Sequence, residues 1–220
     1  MSGHKPRAYA LLAALLTATL ATLPSSCSIA SRPYPTIRTF SLEIPTTGTA
    51  AAGALKKPRY TLLVTASPPP AAYESKKLVY KLSATEYAQD FYTEFYTTPA
   101  RAVADSFARF LDLASPALNF VRTQGVKLPD YAMEIQLMDF YGDLTGEDPE
   151  ARITMSVTLN DLRPATPMLV FTKNYSKSLP ARPTGDEPRE DALVEAFVVG
   201  LLGILEDLDS DLRSVINVGR

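Results

Sequence analysis

From Arg152 to Leu162 the chain reads RITMSVTLNDL, and its apolar side chains fall on every second residue. Ile153, Met155, Val157 and Leu159 alternate with Thr154, Ser156, Thr158 and Asn160. A helix would scatter that pattern around its axis, whereas a strand sends the two sets to opposite faces. The chain must therefore build a sheet with one wet face and one face that something apolar covers.

The neighbouring segments extend this sheet. Tyr131 to Tyr141, YAMEIQLMDFY, sets Tyr131, Met133, Ile135, Leu137, Asp139 and Tyr141 against Ala132, Glu134, Gln136, Met138 and Phe140. Met168 to Lys177 follows Pro164 and Pro167 as a third strand. Three consecutive strands joined by short turns predict an antiparallel meander. Upstream, Thr36–Ile44, Arg59–Ala66, Leu78–Leu82 and a short Leu118–Thr123 also read as strands, Arg59–Ala66 being apolar enough to be central. Pro45 to Pro58 reads as a loop, and Pro68-Pro69-Pro70 as an extended polyproline piece.

Two helices supply the cover. In Arg189–Ile216, Leu193, Phe197, Leu201, Ile204, Leu205, Leu208, Leu212 and Val215 recur every three or four residues. Gly200 and Gly203 lower its helix propensity by up to about 1 kcal/mol each. They suit close packing against the sheet or against a partner helix. The second helix runs from Pro99 to Ala114, with Thr98 placed to cap it and Val103, Phe107, Phe110, Leu111 and Ala114 facing inward. The predicted fold is a single α+β / α/β domain, a mixed, largely antiparallel sheet with two main helices packed on it.

Between the strands and the first helix stands an aromatic run, Tyr87 to Tyr96. As a strand it points Phe91, Thr93 and Phe95 one way and Tyr92, Glu94 and Tyr96 the other. The expectation is that Phe91 and Phe95 enter the core. Tyr92 and Tyr96 are either buried beneath a helix or part of an interface patch, where tyrosine is enriched.

The first 26 residues read as a secretory signal. Lys5 and Arg7 precede Ala8–Leu23, an uncharged stretch of 16 residues, shorter than the roughly 20 that span a bilayer. Cys27 follows directly and is the chain's single cysteine, so no internal disulfide can form. Its placement after Leu23-Pro24-Ser25-Ser26 resembles a bacterial lipobox, which implies acylation, palmitate included, rather than a free thiol. Residues 27–35 then form a polar tether with two prolines, and residues 36–220 the domain. Loss of the signal takes the formal charge from −2 to −4 and leaves no Lys/Arg block for nucleic acid. Anchoring without a basic patch takes more than one acyl chain.

Composition also bears on chemistry. His4 is the only histidine and leaves with the signal. Without imidazole or thiol, Ser-His-Asp and Cys-His nucleophiles and histidine-ligated zinc are excluded. No Gly-rich phosphate loop or nucleophile elbow occurs. Asp139, Asp143, Glu147, Asp148 and Glu150 cluster at a turn, and Glu206, Asp207, Asp209 and Asp211 along the last helix. Both read as solvated acidic surfaces, because the ligand spacing of a calcium loop is absent. The expectation is a protein that is not an enzyme, with no cofactor and no metal.

Several short stretches together resemble a known family. They are Phe40-Ser41-Leu42, Arg59 to Val64, Leu78-Val79-Tyr80-Lys81, Tyr92 to Pro99, and Glu195-Ala196-Phe197. The layout from Thr36 to Ile216 resembles the ABC-type transport auxiliary lipoproteins, the group that includes the PqiC/YmbA proteins. The family usually carries Trp four residues before the proline, where this chain has Phe95. The resemblance implies an outer-membrane lipoprotein on the periplasmic face of a Gram-negative type envelope, lipidated at Cys27 and without catalysis. It implies work beside an MCE-domain protein and an ABC transporter that move lipid or other hydrophobic cargo, and self-association as a homo-oligomer. The alternation of Tyr92 and Tyr96 with Glu94 makes Tyr92, Phe95 and Tyr96 the candidate partner interface. Two other readings compete. A periplasmic lipid- or glycan-binding module requires a sizeable apolar pocket. A carboxylate-only hydrolase requires two carboxylates facing each other across a cleft.

Overall fold

The alternation in Arg152–Leu162 is realised as strand β7 (Glu150–Asp161). Ile153, Met155, Val157 and Leu159 are wholly buried, and the intervening Thr and Ser residues keep contact with solvent. The structure, a computed structural model, describes residues 36–45, 60–114, 118–120, 128–185 and 189–217. They belong to one compact unit, 36–220, while the predicted signal, Cys27 and the tether lie outside the described residues.

Strands β6 (Tyr131–Asp143), β7 and β8 (Met168–Pro180) form the predicted meander, paired in antiparallel fashion along nearly their whole length. The other edge of β6 is shared. Its first half pairs in parallel with β2 (Tyr60–Ala66), and its last two residues with β3 (Lys77–Lys81). The sheet therefore forks. Strand β5 (Leu118–Phe120) lies outside β2; β4 (Tyr87–Phe95) and then β1 (Arg38–Phe40) lie outside β3.

The fork has a cause in sequence. Ser67 donates the last hydrogen bond to β6, at the Ile135 carbonyl, 2.9 Å away. Pro68, Pro69 and Pro70 have no N–H to continue the ladder. Pro70, at φ −52° and ψ 146°, keeps the extended polyproline geometry, and one 3-10 turn, Ala71–Tyr73, follows. The rest of the β6 edge is left open for β3. The sheet is mixed as predicted: the two long meander pairings and the short β3–β4 pairing are antiparallel, and the others are parallel.

Both helices cover the apolar face. Helix α1 (Pro99–Ala114) lies over β2, β5 and β6, and α2 (Arg189–Asn217) over β7 and β8. Phe95, Phe140 and Phe197 form the centre of the core; the Phe140 and Phe197 rings stack at 4.1 Å and Phe95 meets Phe140 edge-on. Gly200 lets α2 approach the sheet closely. A Cβ there would stand 2.7 Å from Leu179 Cδ1 and 2.8 Å from Ile153 Cδ1.

Three expectations about strand faces are corrected. The N-terminal ladder is Arg38–Phe40 and not Thr36–Ile44, although Leu42 and Ile44 are buried. In β6 an extra residue, Met138, sits between Leu137 and Asp139 opposite Met155 and Thr154. Such a bulge breaks the alternation beyond it, and here residues 140–143 are all buried. Phe140, expected on the wet face, is buried, and Asp139 is half-buried. In β4, Phe91 was expected in the core and is 73% exposed.

Candidate functional site

Phe91 is exposed because of Asp90. The Asp90 Oδ1 accepts the backbone N–H groups of Tyr92 (2.7 Å) and Thr93 (2.8 Å). Its Oδ2 accepts the Tyr80 hydroxyl at 2.7 Å. An Asp that bonds the backbone two and three residues on makes a turn and cannot stay in a flat strand. The ladder slips accordingly, since β4 advances from Gln89 to Glu94 while β3 moves only from Val79 to Lys77. Phe91 and Tyr92 project from this bulge with their rings edge-to-face at 5.0 Å. Lys77 donates to the Phe91 carbonyl at 3.2 Å and pairs with Glu94 at 3.4 Å. Burial, then the bond to Asp90, pushes the Tyr80 hydroxyl far above its usual range.

Beyond the bulge β4 resumes its alternation. Phe95 turns into the core, 1% exposed. Tyr96 leaves it again, 76% exposed, its N–H donating to the Phe40 carbonyl at 2.8 Å. The chain then enters α1, where the Thr98 carbonyl accepts from Ala102 at 3.0 Å. Between residues 40–43 and the first turns of α1 lies a groove of about 260 Å³. Phe40, Leu42, Phe95 and Ala102 are its apolar lining, with Tyr96, Arg101, Asp105 and Arg109 around them. Ser106 fixes one wall by donating to the Leu42 carbonyl at 3.1 Å. Arg38 holds β1 to the first turn of α2 through a bidentate pair with Asp191, 2.6 and 2.8 Å.

The predicted interface residues flank the short β1–β4 ladder. Tyr92 lies just before the first rung of the β1–β4 ladder, Arg38 with Thr93, and Tyr96 just past the last, Phe40 with Phe95. Both are exposed, four residues apart along the chain. Phe95, between them, is not part of a surface at all, because the alternation places it against Phe140. The alternative in which both tyrosines are buried beneath a helix is also excluded, Tyr92 being 43% exposed. Asp90 and Lys77 were not singled out from sequence. The available signal was Asp90 itself, a strand-depleted residue inside an aromatic run.

The acidic groups are largely engaged by cations. Asp143 is held below the usual carboxylate range: burial works against this, but hydrogen bonds from Thr145 and the charges of Lys81 and Arg152 outweigh it. Arg152 also pairs with Glu150 at 2.9 Å, and Arg182 with Asp148. On α2, Asp207 and Asp211 fasten the helix to β8 through Lys177 (2.8 Å) and Lys173 (2.6 Å). Asp211 also accepts the Tyr175 hydroxyl at 2.6 Å. The C-terminal cluster is therefore a helix-to-sheet clasp as well as a wet face. Among the described residues, no three Asp or Glu side chains converge as metal ligands, and no helix is long and apolar enough to cross a membrane.

No family model matches the chain, and no curated protein matches its sequence. Solved structures share its fold. A Xanthomonas campestris protein of family DUF330 superposes with a TM-score of 0.61 at 16% identity, over 83% of this chain and 95% of that one. An uncharacterized protein does so with a TM-score of 0.61 at 12% identity, over 80% and 99%. At these identities the likeness is one of fold.

Proposed function

We propose that the chain is a non-catalytic lipoprotein of the bacterial envelope, held at the periplasmic face of the outer membrane by acyl chains on Cys27. In this reading it docks onto an MCE-domain protein and its ABC transporter, in a system that moves lipid or other hydrophobic cargo. The carrying observation is the shared fold. The sequence resembles PqiC/YmbA lipoproteins, whose family is DUF330, and a DUF330 protein has this architecture across 83% of the chain.

The groove beside Tyr96 has the composition of a protein-partner surface. Its lining mixes Phe40, Leu42, Phe95 and Ala102 with Glu43, Arg101, Asp105 and Arg109, an apolar and charged composition like that of an interface. Its volume of about 260 Å³ falls short of the roughly 300–1,000 Å³ of small-molecule pockets. This groove by itself is therefore small for a lipid or glycan ligand.

A pull-down from gently solubilised envelopes tests the proposal, comparing the native protein, Cys27→Ala and Tyr96→Ser. The native form recovers an MCE protein. Cys27→Ala recovers less, and Tyr96→Ser about thirtyfold less, since an aromatic anchor contributes about 2 kcal/mol. Recovery of lipid or glycan with no protein partner would overturn the docking role in favour of the binding module.

A further inference from the structure

The bulge that exposes Phe91 is built in an unusual way for a loop in water. Its polar backbone groups are satisfied from within: Asp90 takes the N–H groups of Tyr92 and Thr93, and Lys77 takes the carbonyl of Phe91. What it shows to the outside is two aromatic rings, 73% and 43% exposed. A segment entering a low-dielectric medium has to meet both conditions, because unpaired backbone groups there cost several kcal/mol each. Phenyl and phenol rings side by side also match the boundary between headgroups and hydrocarbon, where tyrosine is enriched.

The position in the fold selects the occupant. Strand β1 runs parallel to β4 with Arg38 beside Thr93, so Ile37 and Tyr92 are the residues just before that rung. Ile37 is itself 51% exposed. The described chain starts one residue earlier, at Thr36. The N-terminal segment therefore joins the domain at the end where Phe91 and Tyr92 project. From Cys27 to Thr36 the chain can reach at most about 30 Å, at roughly 3.3–3.6 Å per residue.

The geometry points to Phe91, Tyr92 and Ile37 as a membrane-contact site that seats in the interfacial zone of a lipid bilayer and orients the domain on it. This rests on the reading of Cys27 as the lipid anchor and is independent of which protein the Tyr96 groove binds. The acyl chains hold the domain at the surface, and the aromatic bulge fixes which face looks toward the membrane. The groove lies at the other end of the three-rung β1–β4 ladder, beside Phe40 and Tyr96.

The chain contains no tryptophan, so one substitution makes a selective reporter. The lipidated protein carrying Phe91→Trp is reconstituted into vesicles of phosphatidylethanolamine and phosphatidylglycerol, without any partner protein. Val199→Trp, at an exposed position on α2, serves as control. Circular dichroism checks that both fold. The expected result is a blue-shifted emission for Phe91→Trp, quenched by lipids brominated in the upper acyl chain, with the control unshifted and unquenched. A chain that floats with the vesicles but whose Phe91→Trp emission stays water-like overturns the contact site and leaves the anchor standing. A chain purified from envelopes with an unmodified Cys27, which does not float, overturns both.

Discussion

Gly200 and Gly203 lie on adjacent positions of the helical wheel, yet a methyl group would meet different neighbours at each. At Gly200 it would press on Leu179 and on the fully buried Ile153, at 2.7 and 2.8 Å. Overpacking of that kind costs about 1–3 kcal/mol, more than the roughly 1 kcal/mol that Ala gains over Gly in a helix. At Gly203 the nearest atom is the Cε of Lys177, 3.4 Å away at the end of a flexible side chain. Gly200→Ala should therefore lower stability by about 1 kcal/mol net, and Gly203→Ala should raise it by about 0.5–1 kcal/mol. Urea melts of the two variants decide it; stabilisation by both would mean that α2 does not touch the sheet at Gly200.

At the scale of elements, side-chain alternation reads a strand correctly until a residue is inserted. Strand β7 has no insertion among its inward residues, and all four of its predicted core positions are buried. Met138 in β6 and the Asp90 turn in β4 each shift the count, so Phe140 goes in and Phe91 goes out. Asp90→Ala removes the acceptor of two backbone N–H groups and of the Tyr80 hydroxyl. The expected cost is about 1–3 kcal/mol, with loss of amide-exchange protection at Tyr92 and Thr93. Asp90→Asn keeps the Oδ1 acceptor and should retain most of that protection. Equal exchange in all three proteins would show that Asp90 does not hold the bulge. Phe140→Ala, which removes the ring between Phe95 and Phe197, should cost about 3–5 kcal/mol in a denaturant melt.

For the whole molecule, pH dependence follows from groups spread through the fold. Burial, then contact with Asp211, raises the Tyr175 pKa; burial, then Asp90, raises that of Tyr80. Burial, then the Asp139 charge, takes Tyr73 to about 12. A folded value above the unfolded one of about 10 means the contribution is complete below pH 10 and is lost as pH rises beyond it. On the acid side Asp161 is lowered by Arg163, and Asp211 by Lys173 and Tyr175 against the opposing effect of burial. Their contribution is present above about pH 4 and is lost as pH falls through the depressed values. No histidine lies in residues 36–217, so stability should be nearly flat from pH 5 to 9. Thermal melts across pH check this, with Tyr175→Phe flattening the alkaline limb and Asp211→Asn the acid one.

Periodicity alone set the meander, the two covering helices and their inward stripes, because burial must follow the 2-residue and 3.6-residue repeats of the backbone. The start of α1 was equally local, in Thr98-Pro99. Tertiary structure decided the rest. That β2 and β3 share one edge of β6 depends on three prolines ending one ladder where a distant strand can begin another. The exposure of Phe91 depends on Asp90 finding Tyr80 across a strand pair, with Lys77 closing over Phe91. Neither is written in a local repeat, since each requires partners that only the assembled sheet brings within hydrogen-bond distance.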